Sequence, residues 1–265
     1  MKKITTIKKL LLQPGPWGTV LTVLLLLANT ACASSGQALP PDSNPYGFSY
    51  QEWAVKWWQW SFSLSTNNLE LVGKPSLSCG EGTKVRFLAG VYIPGNNGIT
   101  MDTRKVTIEA GTPLFFCVLA SFDDNTGCNG SALDFGTNSV SELTAAAVGS
   151  WGYVSTTSCT IDGVAVPGLS NPATTRYLVT TPPFSYTTAK EANVVANLFG
   201  VPCLPNGFTV YPAVTDGVYL MIPPLAPGKH VICFVGIVGP ASSPFVESDL
   251  TYDITVPKES GCRGY

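Results

Sequence analysis

PLFFCVLAS, at residues 113–121, is a run of nearly uninterrupted apolar residues. A run of this length after the small-residue turn at 110–112 favours a central β-strand that is buried on both faces. Residues 229–236 (KHVICFVG) have the same character and follow the turn signal PPLAPG at 223–228. Two strands of this kind predict a mainly β domain built around a sheet-on-sheet core.

Further strand patterns surround these two runs. Residues 105–109 and 218–222 precede them and lead through the turns, so we predict two β-hairpins. Residues 85–93 (VRFLAGVYI) and 250–256 (LTYDITV) add two more strands. The pattern predicts an antiparallel β-sandwich, of jelly-roll or immunoglobulin-like type, with roughly nine to twelve strands.

A tryptophan-rich helix is predicted before the strands. Ser49 and Glu52 form a capping box, in which each side chain satisfies an N–H group at the helix start. Phe48 is placed to pack onto Trp53, and the apolar residues that follow recur at helical spacing. The helix should end near residues 63–65, before a polar stretch.

Two short helices are predicted to interrupt the strands, because each begins with a capping box and ends at a glycine. They cover residues 140–148, capped by Ser139 and Glu142, and residues 189–199, capped by Thr188 and Glu191. We therefore predict one β-sandwich domain over residues 48–265, preceded by an extended leader at 34–47.

The first 33 residues predict export. Lysines near the start precede a short apolar run at 20–27, which is about half of the roughly 20 residues that a membrane-spanning helix needs. This is the pattern of a secretory signal peptide, with cleavage before Ser34. A lipid anchor on Cys32 is the alternative, but Asn29 stands where a lipoprotein signal has an aliphatic residue. We therefore expect a secreted, periplasmic or cell-envelope protein, attached to a membrane only if Cys32 is lipidated.

The remaining chain is acidic. Four of the 15 Lys and Arg residues and none of the 17 Asp and Glu residues lie in the signal peptide, which leaves a net charge of −6. An acidic protein lacks the basic footprint that nucleic acid requires. No phosphate-binding glycine motif is present, so a nucleotide is not expected either.

Cysteine usage also fits an exported protein, because cysteines outside the cytoplasm usually form disulfides. Removing or lipidating Cys32 leaves seven of the eight, so at least one stays unpaired or pairs between chains. No C-x-x-C pair is present, which argues against zinc-ribbon and thioredoxin-like sites. The disulfide candidates are Cys79, Cys117, Cys128, Cys159, Cys203, Cys233 and Cys262.

Several blocks of the sequence resemble a family of exported bacterial β-sandwich proteins with no known activity. The blocks include NPYGFSYQEWAVKWWQW (44–60), AGTPLFF (110–116), IDGVAVPGL (161–169) and PPLAPGKH (223–230). The resemblance implies a fold and a compartment but no function. Where the family has a proline, an asparagine and a second histidine, this chain has Cys117, Ala120 and Cys233. Two of these departures are cysteines on expected core strands, so a Cys117–Cys233 bridge is a hypothesis.

His230 is the only histidine. Any Ser-His-Asp or Cys-His catalytic unit would have to use it, and histidine-ligated zinc catalysis normally needs two or three. Its place on a strand after Gly228 favours a structural role. Common hydrolase motifs are absent, so the sequence leaves open whether the protein is an enzyme.

Paired carboxylates are the other catalytic candidates. Asp123 and Asp124 follow the buried strand, where scaffolds place functional loops. Glycoside hydrolysis needs two carboxyl groups that converge, whereas adjacent residues rarely point together. A partner such as Asp134 or Asp216 would be required. The favoured interpretation is a solvated turn over residues 123–130, since Asp, Asn and Gly are natural turn residues.

The same loop is rich in carboxylate and amide oxygens, which calcium prefers. Its spacing matches no EF-hand, so a structural calcium ion is the one cofactor left open, and no metal site is assigned.

Trp58 is the candidate ligand contact. Trp53, Trp57 and Trp60 follow the core-facing period of the helix, whereas Trp58 lies off it. Compartment, acidity and composition together favour an exported binding protein for carbohydrate or cell-envelope material. A carboxylate-based glycan hydrolase or lyase is the alternative, and a structural envelope or matrix protein is the third possibility.

Overall fold

Strands dominate the computed structural model, which describes residues 37–69, 72–73, 84–90 and 98–258. The predicted signal peptide, Cys79 and Cys262 lie outside these ranges. The helices are α1 (Tyr50–Phe62), α2 (Val140–Gly149) and α3 (Val194–Leu198). The strands are β1 (Val72–Gly73), β2 (Arg86–Leu88), β3 (Gly98–Thr107), β4 (Leu114–Asp124), β5 (Thr126–Asn129), β6 (Ala132–Phe135), β7 (Val154–Ile161), β8 (Val164–Ala165), β9 (Leu178–Thr180), β10 (Phe184–Thr187), β11 (Thr209–Ile222), β12 (Gly228–Val238) and β13 (Val246–Val256).

Two sheets form the framework. The first sheet has the order β1-β2-β4-β11-β10, with β9 also pairing with β11, and the second sheet has the order β3-β13-β12-β7-β8. Strands β5 and β6 form a separate hairpin. The predicted mainly β, sandwich-like fold is confirmed. Most pairs are antiparallel, but β2 with β4 and β3 with β13 are parallel.

The two predicted hairpins are wrong. Strands β3 and β4 are consecutive but belong to different sheets, and the same holds for β11 and β12. The turns at 110–112 and 223–228 therefore carry the chain across the core. Local pattern identifies a strand and a turn, but it does not distinguish a turn between paired neighbours from a turn between two sheets.

Aromatic rings fill the space between the sheets. The ring of Phe116 on β4 stacks on Phe234 of β12 with centroids 4.7 Å apart, and Phe234 stacks on Tyr252 of β13 at 6.2 Å. Gly236 lies beside them, where a Cβ atom would be only 2.8 Å from the Cβ of Leu119. Glycine at this position therefore permits the two sheets to approach closely.

Helix α1 covers the other face of the first sheet. Successive side chains of a strand point to opposite faces, so Phe115 faces α1 while Phe116 faces the second sheet. The predicted capping box is confirmed, because the Ser49 N–H donates to a Glu52 carboxylate oxygen at 2.7 Å and the Glu52 N–H donates to the Ser49 hydroxyl at 3.2 Å. The contact of Phe48 with Trp53 is also confirmed, with centroids 5.1 Å apart.

One of the two predicted short helices begins where the sequence predicts, and the other does not. Helix α2 begins after Ser139 as predicted, with its capping box formed. The predicted start of α3 at Thr188 is wrong, because the helix begins after Asn193, whose side-chain oxygen accepts a bond from the Ala196 N–H at 2.7 Å. The Thr188 hydroxyl instead donates to the Pro205 carbonyl at 2.8 Å. This loop contact competes with the local capping pattern.

The predicted leader packs against the domain. Residues 37–47 contain two 3₁₀ turns, Pro41–Ser43 and Pro45–Gly47, so this part of the leader is not extended throughout. The Leu39 N–H donates to the Met221 carbonyl at 2.7 Å, which attaches the segment to β11.

One disulfide is present among the described residues. Cys128 on β5 is bonded to Cys203, with Cα atoms 5.8 Å apart. Cys117, Cys159 and Cys233 are free, so the hypothesis of a Cys117–Cys233 bridge is wrong. Because Phe234 faces the core, the preceding residue points away from the first sheet and cannot reach Cys117.

The disulfide should contribute to stability, because it joins residues 75 positions apart and so restricts the unfolded chain. Replacing Cys128→Ser together with Cys203→Ser is expected to lower the free energy of unfolding by about 2–4 kcal/mol in urea titrations. The free, half-buried Cys233 offers a matched control, because Cys233→Ser should change the free energy of unfolding by less than about 0.5 kcal/mol. Equal effects of the two changes would contradict this prediction.

Candidate functional site

A cavity of about 580 Å³ lies beside the second half of strand β4. We call it the β4 cavity. One wall contains Trp57 and Trp58 of α1 and Phe199 after α3, and the opposite wall contains Trp151 and Val246. Its volume falls within the range of small-ligand sites.

Strand β4 meets this cavity at its edge. All eight residues from Cys117 to Asp124 line the cavity. Because side chains alternate between the faces of a strand, a cavity against one face would be lined by every second residue. An unbroken series of lining residues means that the cavity reaches around the strand edge, where main-chain groups are presented.

Trp58, the predicted ligand contact, lines the cavity, but it is buried although it lies off the core-facing period of α1. Only 5% of its surface is exposed, and its ring lies 5.0 Å from that of Phe122 and 4.9 Å from that of Phe62. Helix α1 is covered by the first sheet on one side and by Phe199 on another, so a residue off the main apolar stripe is also buried. Neighbouring rings thus occupy the surface that stacking on a sugar would require.

A buried chain of hydrogen bonds fixes Trp58 against β4. An indole N–H can only donate, and it donates to the Tyr219 hydroxyl at 2.7 Å. The Thr215 hydroxyl donates to the Ser121 carbonyl at 2.6 Å, so at the 3.1 Å contact between Thr215 and Tyr219 the tyrosine is the donor. Burial raises the pKa of Tyr219, which keeps this donor protonated.

Asp123 and Asp124 are the last residues of β4, so their prediction in a turn is wrong. They point to opposite faces of the strand. Asp124 accepts bonds from the Thr126 N–H, from the Thr126 hydroxyl and from the Tyr186 hydroxyl, each at 2.7 Å. Asp123 has one weak contact, with the Ser121 hydroxyl at 3.5 Å. Burial, and secondarily the charge of Asp124, raise the pKa of Asp123.

The two expected carboxylate partners lie in different places. Asp134 is exposed on β6 and does not line the cavity. Asp216 faces Ser121 across the β4–β11 ladder, and Asp123 faces Val214. Asp123 and Asp216 are therefore diagonal neighbours on one face, typically about 7–8 Å apart. Burial raises the pKa of Asp216, which is 2% exposed and does not line the cavity.

His230 lies away from the β4 cavity. Its Nδ1 is 2.7 Å from an Asp162 carboxylate oxygen, and its Nε2 is 2.7 Å from the Ala226 carbonyl oxygen. Both partners are acceptors, so the geometry suits a doubly protonated ring. The contacts tie the turn between β7 and β8 to the connection between β11 and β12.

No protein-family model, curated protein or solved structure matches this chain. The family resemblance of the sequence blocks therefore stays a hypothesis. No helix in the described part of the chain is long and apolar enough to cross a membrane. Within those same residues, no group of three His, Cys, Asp or Glu side chains is placed to hold a metal ion.

Sequence reasoning missed part of the site. Trp151 lies in a 3₁₀ turn after α2, where no periodic pattern marks a buried residue. Its indole N–H donates to the Asp216 main-chain carbonyl at 3.2 Å. Val201 follows the shortened helix α3 and also lines the cavity. Only tertiary contacts reveal either residue.

The His230 contacts predict a pH-dependent stability. Burial acts to lower the pKa of His230, but the bonds to Asp162 and Ala226 outweigh it and raise the pKa above 6.5. The stabilisation is complete below pH 6.5 and is lost as pH rises through the raised pKa. In urea titrations, the difference in unfolding free energy between the natural protein and His230→Gln should shrink between pH of about 6 and about 8. A constant difference would contradict the assignment.

Proposed function

We propose that this is an exported binding protein and that its ligand lies in the β4 cavity. The cavity carries the proposal, because a recess of this size that combines apolar side chains with polar groups is the usual form of a ligand site. The Cys128–Cys203 disulfide supports export, since such bonds persist outside the cytoplasm.

The cavity wall defines the chemistry of the ligand. Most of the described lining residues are aromatic or aliphatic, Asp123 and Asp124 are the charged ones, and no Lys, Arg or His is among them. This combination suits an amphipathic ligand that is neutral or cationic and carries hydrogen-bond donors. Cell-envelope material, including carbohydrate, offers ligands of this kind, although a sugar would have to bind without stacking on Trp58.

Binding accounts for the cavity better than glycan hydrolysis does. Asp123 and Asp216 resemble a pair of catalytic carboxyl groups, since they share a face and both have a raised pKa. However, Asp216 does not line the cavity, and one of its oxygens accepts a 2.7 Å bond from the Thr180 hydroxyl. A ligand in the cavity would therefore meet only one member of the pair.

A bulky residue in the cavity wall tests this proposal. Val201→Trp is expected to fill part of the cavity, and Val231→Trp is the matched control because Val231 is 40% exposed and lies outside the cavity. The probes are soluble peptidoglycan fragments, envelope polysaccharide fragments and random seven-residue peptides, titrated by calorimetry. We expect at least one probe to bind the natural protein. Its affinity for Val201→Trp should be at least about tenfold lower, and its affinity for Val231→Trp should be unchanged. Binding by neither the natural protein nor the control would contradict the proposal, as would equal binding by all three proteins.

A further inference from the structure

We infer that the ligand of the β4 cavity is an extended polypeptide segment that adds to the first sheet along the open edge of β4. The inference rests on the proposed function, because it assigns a ligand class to the same cavity. It is supported by the direction of the main-chain N–H and C=O groups of β4. No side-chain motif in the sequence indicates these directions.

Over its second half, β4 has no paired strand on one side among the residues that the structure describes. Strand β2 pairs with β4 only at Leu114 and Phe115. From Cys117 to Asp124 the strand lines the cavity, and within the described ranges no strand pairs with it on the side away from β11. Among the described residues, the main-chain groups on this side of β4 therefore face a cavity rather than a further strand, and an edge inside a recess is less accessible to other chains than an ordinary sheet edge.

The register shows which groups of β11 face β4. The Thr215 carbonyl accepts a bond from the Thr181 N–H at 2.9 Å, and the Tyr219 N–H donates to the Tyr177 carbonyl at 3.2 Å. Thr215 and Tyr219 therefore direct their main-chain groups away from β4. Because these directions alternate along a strand, the intervening even-numbered residue Asp216 directs its groups toward β4.

The same alternation then applies to β4. Ser121 is the partner of Asp216 in the ladder, so Ser121 and its alternate neighbour Asp123 bond to β11. It follows that Ala120, Phe122 and Asp124 direct their N–H and C=O groups to the opposite side, into the cavity.

An added strand matches this edge better than a sugar does. Three residues at alternate positions present paired donors and acceptors at the spacing that a second strand repeats. The β-bulge at Val118 interrupts the ladder and limits the usable edge to about five residues, or about 17 Å of extended chain. The covered ring of Trp58 offers no comparable platform for carbohydrate.

The walls also specify the side chains of the segment. The side chains of an added strand would alternate between the face of Trp58 and Phe122 and the face of Trp151, and each of these faces carries apolar side chains. The carboxyl groups of Asp123 and Asp124 lie at one end, on opposite faces, with no basic group among the lining residues that the structure describes. The site therefore favours apolar, β-branched residues with a Lys or Arg near one end of the segment.

A peptide selected from a phage-displayed library of random seven-residue sequences provides the probe. Each residue of the selected peptide is N-methylated in turn, and binding to the full protein is measured by calorimetry. Strand addition predicts an alternating pattern, in which methylation at every second central residue weakens binding at least about tenfold and methylation between them changes it little. An even loss at all positions, or no loss at any, would overturn the inference.

The Val201→Trp and Val231→Trp variants separate this inference from the proposed function. Loss of peptide binding in Val201→Trp alone, together with the alternating pattern, supports both. Loss without alternation, or glycan binding that depends on Val201 while no peptide binds, overturns the inference and leaves the proposed function standing. Peptide binding that Val201→Trp does not weaken overturns both.

Discussion

The antiparallel ladder between β4 and β11 is the constraint on which the structure depends. It pairs the two strands from Leu114 with Ile222 to Asp124 with Ala213. The first half of β4 is enclosed, with Phe116 against the second sheet and Phe115 against α1. The second half keeps its ladder with β11 but has no described strand on its other side. The same strand thus forms the centre of the core and the edge of the cavity.

Local chemistry made α1, α2 and the interior of β4 predictable from the sequence. Ser49 and Ser139 form the capping boxes that their sequence patterns predict. A run as apolar as residues 113–121 is typical of a core strand. The partner of each strand was not predictable, because β3 and β4 look like a hairpin locally and yet belong to different sheets. Likewise Thr188 has the sequence of a helix cap but bonds to a distant loop.

The sequence predicted some residues of the candidate site but not the cavity that they line. Trp58, Asp123 and Asp124 all line the cavity, although Trp58 is buried and the two carboxylates lie on a strand. Helical periodicity assumes one buried face, whereas α1 is enclosed on more than one side. The cavity itself depends on where β2 stops and on how Trp151 is placed, and both follow from tertiary structure alone.

Amide hydrogen exchange of residues 119–124, measured by NMR on the unliganded protein, tests the open edge of β4 most directly. We expect alternation: the amides of Leu119, Ser121 and Asp123 exchange slowly because they bond to β11, and those of Ala120, Phe122 and Asp124 exchange faster. Uniformly slow exchange across the six residues would show that the edge is already paired and would contradict the account.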